Sequence, residues 1–292
     1  MLLLTGATGL VGSALLPRLL EQETQVRCLV RDPRRLGADR VRVQIALGDL
    51  TDPPSFRNAM RGVHTVVHLA GSIRDQPRGS IEELNGIATW RMVEAAQRSG
   101  VERFLFVSAL GASTHNRARF FRAKALAEQA VREADIGSIV LTPSTIYAPG
   151  EGWLRVMERL AVLPVIPLPG AGRAVCEPIW AQDVAECLIA ALRSGEGRAD
   201  PIELAGPQRL TYNEIVRLLA RAYGRSRPLL HIPTPVVSRA LRLLQSVGGQ
   251  RTFATWEEVE LLEVSMISQR GAADAEGLGV VPKPMSAVLA SS

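Results

Sequence analysis

The sequence predicts an α/β protein: a doubly wound parallel sheet joined to a smaller, mostly helical C-terminal lobe. Three observations carry this. The apolar run Leu2 to Leu4 passes through Gly6, Gly9 and Gly12 into a helix-like stretch, Ser13 to Leu20. Strand-like and helix-like segments then alternate through the first half, a pattern that calls for parallel strands with helices on both faces. The length, 292 residues at 47% hydrophobic, suffices for one such sheet and a lobe. The expected partition is a sheet domain over 1–150, completed by parts of 174–205, and a lobe from 151–173 and 206–292.

The opening turn has a chemical reading. A strand that bends sharply into a helix needs glycine at the bend, and again where a ligand must come closer than a Cβ allows. The helix start offers unpaired N–H groups and a positive dipole end to a pyrophosphate. Gly6, Thr8, Gly9, Leu10, Val11 and Gly12 are therefore the expected cradle of a dinucleotide. The spacing is GxxGxxG rather than GxGxxG, and an ordinary glycine-rich turn is the alternative.

The remaining elements follow in order. Gln25 to Val30 reads as the second strand. The residue closing that strand faces the adenosine ribose, where an arginine suits a 2′-phosphate and a carboxylate a free hydroxyl. Arg31 stands there, which favours NADP(H) over NAD(H), while Asp32 next to it could serve a ribose hydroxyl instead. Val41 to Ala46 is the expected third strand, followed by Gly48-Asp49-Leu50; Asp49 lies by the adenine or helps cap the next helix, with Leu50 beside it. Gly62 to Leu69 is a buried fourth strand ending in the small pair Ala70-Gly71, which permits close approach of the cofactor. His64 and His68 lie about 13 Å apart on that strand, too far for one metal ion, and read as structural.

A long helix is expected from Ser80 to Gly100, a fifth strand from Val101 to Ser108 and a sixth from Ile139 to Pro143, after which Pro143 to Ile146 passes the nicotinamide. Leu160 to Arg173 is an apolar loop punctuated by proline and glycine, suited to cover a hydrophobic ligand. Asp183 is the expected cap of a helix over Val184 to Arg193. Pro201 to Ala205 reads as a strand, and Thr211 with Glu214 as a capping box. Pro228 to Gly249, with Leu243 and Leu244 among its apolar residues and Arg239 and Arg242 between them, is an amphipathic helix for the lobe core or for a membrane or partner surface. Met285 onward is expected to fray.

Composition narrows the function. The net charge is +5 and the pI about 9.6, but the arginines are scattered among carboxylates without interleaved aromatics, which argues against nucleic acid. Cys28, Cys176 and Cys187 are too few and too dispersed for a disulfide framework or a metal centre and read as core residues. No charged-then-apolar leader and no run of 18 apolar residues is seen, so the expectation is a cytoplasmic protein without a transmembrane segment. Only Lys124 and Lys283 are lysines among 34 cationic residues, so a lysine here departs from the habit of the chain.

The pieces Thr5-Gly6-Ala7-Thr8-Gly9-Leu10-Val11-Gly12, Gly48-Asp49-Leu50, His68-Leu69-Ala70-Gly71, Asn85, and Phe106-Val107-Ser108-Ala109 together resemble the short-chain dehydrogenase/reductase superfamily, in its extended and atypical branches. Pro143 to Gly150 is similar to its RPxxxYGPG segment, and Glu177 to Ala185 to its PIHVDDVA segment. The likeness covers nearly the whole chain and is nearest to the NADPH-binding 39-kilodalton-type accessory subunit of respiratory complex I and its bacterial relatives. It implies a Rossmann-type NAD(P)-binding fold, with Val107, Pro143 and Ile146 along the cofactor.

The superfamily's chemistry uses Tyr-x-x-x-Lys on one helix with a serine or threonine at the fifth strand end. Tyrosine passes the proton, and lysine lowers its pKa and holds the nicotinamide ribose. Here the run is Phe120-Phe121-Arg122-Ala123-Lys124, so Phe120 stands where the tyrosine belongs, and Ala109 falls at the serine position with Ser108 one residue early. Lys124 is left as the cofactor-holding residue, with Ser108 and Tyr147 as stand-in proton relays. Thr142 replaces the family's usual arginine. Two functions follow: an NADP(H)-binding protein whose cofactor is structural, sensory or serves assembly with a protein partner or a membrane-associated complex, or an oxidoreductase or epimerase acting on a small apolar carbonyl or quinone-like substrate by a non-standard relay.

Overall fold

The computed structural model describes residues 1–150, 152–194, 200–248 and 255–291. Its centre is a seven-stranded sheet built from β1 (Leu2–Thr5), β2 (Val26–Val30), β3 (Gln44–Leu47), β4 (Thr65–His68), β5 (Arg103–Val107), β6 (Gly137–Pro143) and, later in the chain, β11 (Ile202–Leu204). The order across the sheet is β11-β6-β5-β4-β1-β2-β3 and every adjacent pair is parallel. The order reverses at β1, where chain direction sends one half left and the other right and opens a crevice at the carboxyl ends.

Strand side chains alternate between two apolar layers. Leu2, Leu4, Val67 and Leu105 join the layer with α1 (Leu10–Glu21) and α6 (Ala181–Ser194). Leu3, Val66, Phe104 and Phe106 join the opposite layer with α2 (Pro53–Arg57), α3 (Ala88–Arg98) and α4 (Arg119–Arg132). Central strands buried on both faces need apolar residues at every position, which is why they read as unbroken apolar runs. All three cysteines are free and buried in the interior.

Several elements depart from the sequence expectation. The third strand begins at Gln44 because Pro33–Arg42 forms a 3-10 stretch that takes in Val41 and Arg42. Its register is set by β2, where Arg27 donates twice to Gln44 Oε1. The fourth strand is shortened by the left-handed turn at Gly62 (φ 67°). The helix before β5 starts with a π-helical turn, Glu83–Ile87, at whose centre Asn85 reaches back to the Ile81 carbonyl.

The lobe gathers β7 (Ile146–Tyr147), α5 (Gly152–Leu160), β8 (Ile166–Pro169), β9 (Val175–Cys176), β10 (Ile179–Trp180), β12 (Leu210–Thr211), α7 (Tyr212–Ala222), β13 (Leu229–Ile232) and α8 (Thr234–Gly248) with α9 (Trp256–Leu261) and α11 (Met285–Ala290), whereas α10 (Ala273–Gly277) packs on the sheet through Ala275. Two-stranded pairs β10–β7, β12–β9 and β13–β8 add short strands to a lobe expected to be mostly helical. Leu160 to Arg173 is thus not all loop, since β8 lies within it, and the segment from Pro228 enters as a strand before turning into α8. Gly249 and the Leu244 side chain lie outside the described residues. The capping box of Thr211 and Glu214 is present in full, and Thr255 with Glu258 forms a second. Asp183 sits inside the first turn of α6 rather than before it, and its Oδ2 accepts the Lys283 backbone N–H at 2.8 Å. Met285 is fully buried, so α11 is a docked helix and not a frayed end.

The C-terminal segment returns to the sheet through carboxylates. Ser268 N donates to Glu177 Oε2 (2.7 Å), Ser268 Oγ to Glu203 Oε2, and Glu203 N to Asp274 Oδ2 (2.8 Å). These bonds tie the β11 edge to α10 and the last strand-end loops.

His68 is fully buried at the end of β4, its Nδ1 2.8 Å from Thr5 Oγ1 and its Nε2 3.1 Å from Thr89 Oγ1. Thr89 gives its only hydroxyl proton to Asn85 O at 2.6 Å, so Nε2 must carry the ring proton and Nδ1 accepts from Thr5. Burial, and secondarily the ammonium of Lys124, pushes the imidazole down to about 3 from 6.5. With the native pKa depressed, the unfolded chain binds a proton between about pH 6.5 and 3 that the native chain does not, so stability is lost as pH falls through that window. The slope from His68 alone is about 1.4 kcal/mol per pH unit. Denaturant titrations of His68→Gln should show a shallower acid dependence than the parent; an unchanged slope would refute the assignment.

Candidate functional site

The crevice at the carboxyl ends of β1, β2, β3 and β4 is a cleft of about 260 Å³. It is lined by Thr5 to Gly9, Leu29 to Arg31, Arg35, Gly48 to Leu50, Leu69 to Ser72, Gln76 and Leu84. Its floor is the β1–α1 turn. Gly6 takes φ 73°, and a Cβ there would stand 2.8 Å from Ala70 N. A Cβ on Gly12 would overlap the Gly6 carbonyl, so the turn closes only with glycine at both positions. Gly9 is the N-cap of α1 with no side-chain hydrogen bond, and no acid stands in the first turn. The first-turn N–H groups and the dipole end are thus left to an anion.

Of the residues expected at a cofactor, Gly6, Thr8, Gly9, Arg31, Asp49, Leu50, Ala70 and Gly71 line this cleft. Leu10, Val11 and Gly12 form the helix start behind it. Arg31 is exposed at the rim, and a second arginine, Arg35, joins it there. Sequence reasoning missed Arg35, although a cation five residues beyond the strand end at Val30 was a signal available to it. Asp32 is not in the cleft, because its carboxylate accepts Arg34 N at 3.0 Å and caps the 3-10 stretch. Asp49 does not cap α2, whose N-cap is Asp52; its Oδ1 accepts from Thr51 N and Oγ1, and its Oδ2 faces Arg78 at 3.7 Å.

Beyond Gly71 the cleft closes. Asn85 Oδ1 accepts Ser72 N and occupies the space a Gly71 Cβ would need, and Lys124 Nζ would be 3.6 Å from that Cβ. Lys124 is 5% exposed and donates to the Val107 carbonyl at 2.8 Å, with its ammonium 4.8 Å from the Phe106 ring and 5.8 Å from the Phe120 ring. Burial lowers its pKa to about 8, opposed by Glu128 one turn on. Val107 is buried, Pro143 is paired with Leu204 and bonds Leu110 through its carbonyl, and Ile146 is half-buried; none of these lines the open cleft.

The stand-in donors are elsewhere. Ser108 is buried and its hydroxyl faces Glu128, holding that carboxyl down against the burial that raises it, though the two form no well-aligned bond with each other; Glu128 Oε2 instead accepts Arg132 Nη2 at 2.6 Å. Tyr147 is 0% exposed in a cluster with Leu154, Cys176 and Tyr212. Burial and Asp183 push its phenol further up, and its hydroxyl has no hydrogen-bond partner among the described residues. Neither Ser108 nor Tyr147 is among the residues that line the open cleft, and nor is Lys124. Thr142 is likewise turned away, its hydroxyl on the Ile202 carbonyl. Phe120 packs with Ala109, Ala118 and Phe121 against Leu261, Val264 and Met266, an apolar set with no proton donor. Among the described residues no cluster of three or more metal-ligating side chains forms, and no helix is long and apolar enough to cross a membrane.

The cleft geometry agrees with comparisons to known proteins. A family model described as NAD(P)H-binding matches residues 6–194. The chain is 30% identical over 250 residues to a ceramide reductase of Caulobacter vibrioides, covering 83% of this chain and 77% of that one. It is 26% identical over 290 residues to the mitochondrial NADH dehydrogenase [ubiquinone] 1 alpha subcomplex subunit 9 of Mus musculus, covering 96% and 76%. Among solved structures, a nucleoside-diphosphate-sugar epimerase of Staphylococcus aureus aligns with TM-score 0.79 at 18% identity, covering 99% of each chain. An NADPH-dependent quinone oxidoreductase of Escherichia coli aligns with TM-score 0.78 at 17% identity, covering 100% and 99%. At those identities the structures speak for the fold alone.

Proposed function

We propose that this chain, which belongs to the NAD(P)H-binding family, binds NADP(H) and keeps it as a structural, sensory or assembly element rather than turning it over. The observation that carries the reading is the neighbourhood of Lys124. A lysine at the cofactor-holding position is kept, while the ring one helical turn before it, Phe120, has no hydroxyl, and the strand end beside it presents Ala109. The bound nicotinamide would supply hydride; Phe120, at the position of the superfamily's proton-passing tyrosine, has no hydroxyl to supply the accompanying proton. Lys124 has two N–H groups beyond its bond to Val107 O for ribose hydroxyls, the first turn of α1 suits the pyrophosphate, and Arg31 with Arg35 suits a 2′-phosphate. A relative named as a subunit of NADH dehydrogenase supports service to a partner complex.

A second reading, an NAD(P)-dependent reductase or epimerase for an apolar carbonyl or quinone-like substrate, draws on the apolar wall of Phe120, Val264 and Met266 and on the relative named as a ceramide reductase. Fluorescence titration with NADPH and NADH, followed by stopped-flow assay of NADPH oxidation with quinones and small carbonyls, separates the two. Binding without turnover supports the first; turnover well above the Lys124→Ala background defeats it. Loss of a general acid typically removes about 10² to 10⁴ in rate, so Phe120→Tyr is the gain-of-function control.

Arg31→Ala and Arg35→Ala should each weaken NADPH about tenfold or more and NADH hardly at all, as expected for charge-assisted bonds to a phosphate. Equal losses for both coenzymes would remove the 2′-phosphate assignment. Because Lys124 sits near 8, its ammonium is the minority form in alkaline solution. NADPH affinity should therefore fall by up to about tenfold per unit above that pH, and Lys124→Met should bind weakly with a flat profile. A parent profile that stays level to pH 10 would contradict this.

A further inference from the structure

The lobe carries a surface that the crevice does not explain. Between α5 and β8 the chain runs Val162-Leu163-Pro164-Val165, four successive residues all exposed, with Val162 at 61%, Leu163 at 43% and Val165 at 39%. Single exposed apolar residues are ordinary; a consecutive run on a loop is not. The strand that follows buries one side only. Ile166 and Leu168 of β8, with Leu229 of β13, pack on Val216 and Ala220 of α7. The alternate positions, Pro167, Leu230 and Ile232, belong to the outer side, and Leu230 is 54% exposed.

Arginines flank this apolar run on one side, Arg159 just before it and Arg225 at its base, while Glu263 stands by Gly170 and Thr234 at the far end of β8. Residues 152–173 and 206–248 hold ten arginines against two glutamates, a net +8 in a chain whose total is +5. Both glutamates are already engaged: Glu214 in the capping box of α7, and Glu158 with Gly150 N and the Tyr223 hydroxyl. Arg225 donates to the Ala161 carbonyl at 3.3 Å, which plants a guanidinium at the base of the loop, and Arg227 lies exposed two residues before the strand position paired with Ile166. Tyr223, half exposed, adds an amphipathic ring at the same end.

We propose that the Val162–Val165 loop and the outer side of the β8–β13 pair dock on an anionic lipid bilayer, with the apolar run entering the interface and Arg159, Arg225 and Arg227 at headgroup phosphates. A second copy of the chain fits this face poorly, because a two-fold contact sets the same arginines against each other. A bilayer supplies what the face lacks: negative charge at the rim and an apolar phase at the centre. The inference goes beyond the cofactor reading and does not depend on it.

The test is flotation of the full chain with 100 nm vesicles of dioleoylphosphatidylcholine alone or with about 30% dioleoylphosphatidylglycerol, at low and at high salt. Expected is at least tenfold more protein on the anionic vesicles, reduced by salt, reduced at least tenfold by Leu163→Glu, and reduced similarly by the double change Arg225→Ser with Arg227→Ser. Thermal melting of these surface variants should match the parent, and Val165→Trp should show a blue-shifted emission only with anionic vesicles. Equal partition onto both vesicle types, or parent-like binding by Leu163→Glu, overturns the proposal. So does a concentration-dependent dimer that Leu163→Glu dissolves while vesicles capture nothing.

Discussion

The structure depends on a chain of hydrogen bonds that runs through the dry centre of the sheet. Ala70 N donates to Thr5 Oγ1, Thr5 to His68, His68 to Thr89, and Thr89 to the Asn85 carbonyl. It joins the two central strands in register, Thr5 opposite His68, and then crosses to the π-helical turn whose Asn85 secures Ser72. Each hydroxyl donates once and the imidazole donates once, so the chain closes only with a neutral ring of one tautomer. Its two ends are the backbone of the cleft: Ala70 on one side, Ser72 on the other. The polar interior of an otherwise apolar sheet is therefore the frame on which a cofactor crevice is hung, and the cost of burying it is offset by complete pairing.

Lys124 shares that frame. Its ammonium is held between a carbonyl and aromatic faces, and along α4 the charges alternate Lys124, Glu128, Arg132, with Arg132 bonded to Glu128 at 2.6 Å. The ammonium of Lys124 adds to burial in keeping His68 neutral, because a second charge beside a buried cation would raise the energy of both, while the reduced basicity of Lys124 itself comes from burial. An arginine, always charged and larger, could not sit at the same point with one carbonyl for company. This is a physical reason why a chain that uses arginine almost everywhere places a lysine here.

Much of this was legible in the sequence, and for stated reasons. The seven parallel strands follow from apolar runs that need no alternation, and the β1–α1 turn from three glycines whose spacing leaves no room for a side chain. The replacement of tyrosine by Phe120 could be read directly, since helical spacing from Lys124 fixes the position. What was not legible involves long-range partners. Tyr147 belongs to a loop that could face either way, and only β10 and α7 decide that it faces the lobe core. Ser108 is turned towards Glu128 by a helix that the strand cannot specify. The β8–β13 pair joins segments some sixty residues apart, each short and proline-marked, so local pattern showed a loop and a helix.

The returning C-terminal segment has a consequence for how the chain comes into being. The edge strand β11 has its Glu203 amide held by Asp274, and the buried carboxylates of Glu177 and Asp183 find partners at Ser268 and Lys283. During synthesis, these acids emerge from the ribosome long before the groups that neutralise their burial. The nascent sheet must wait, with its far edge open and its acids in water, until the segment from Ser268 to Lys283 has been released.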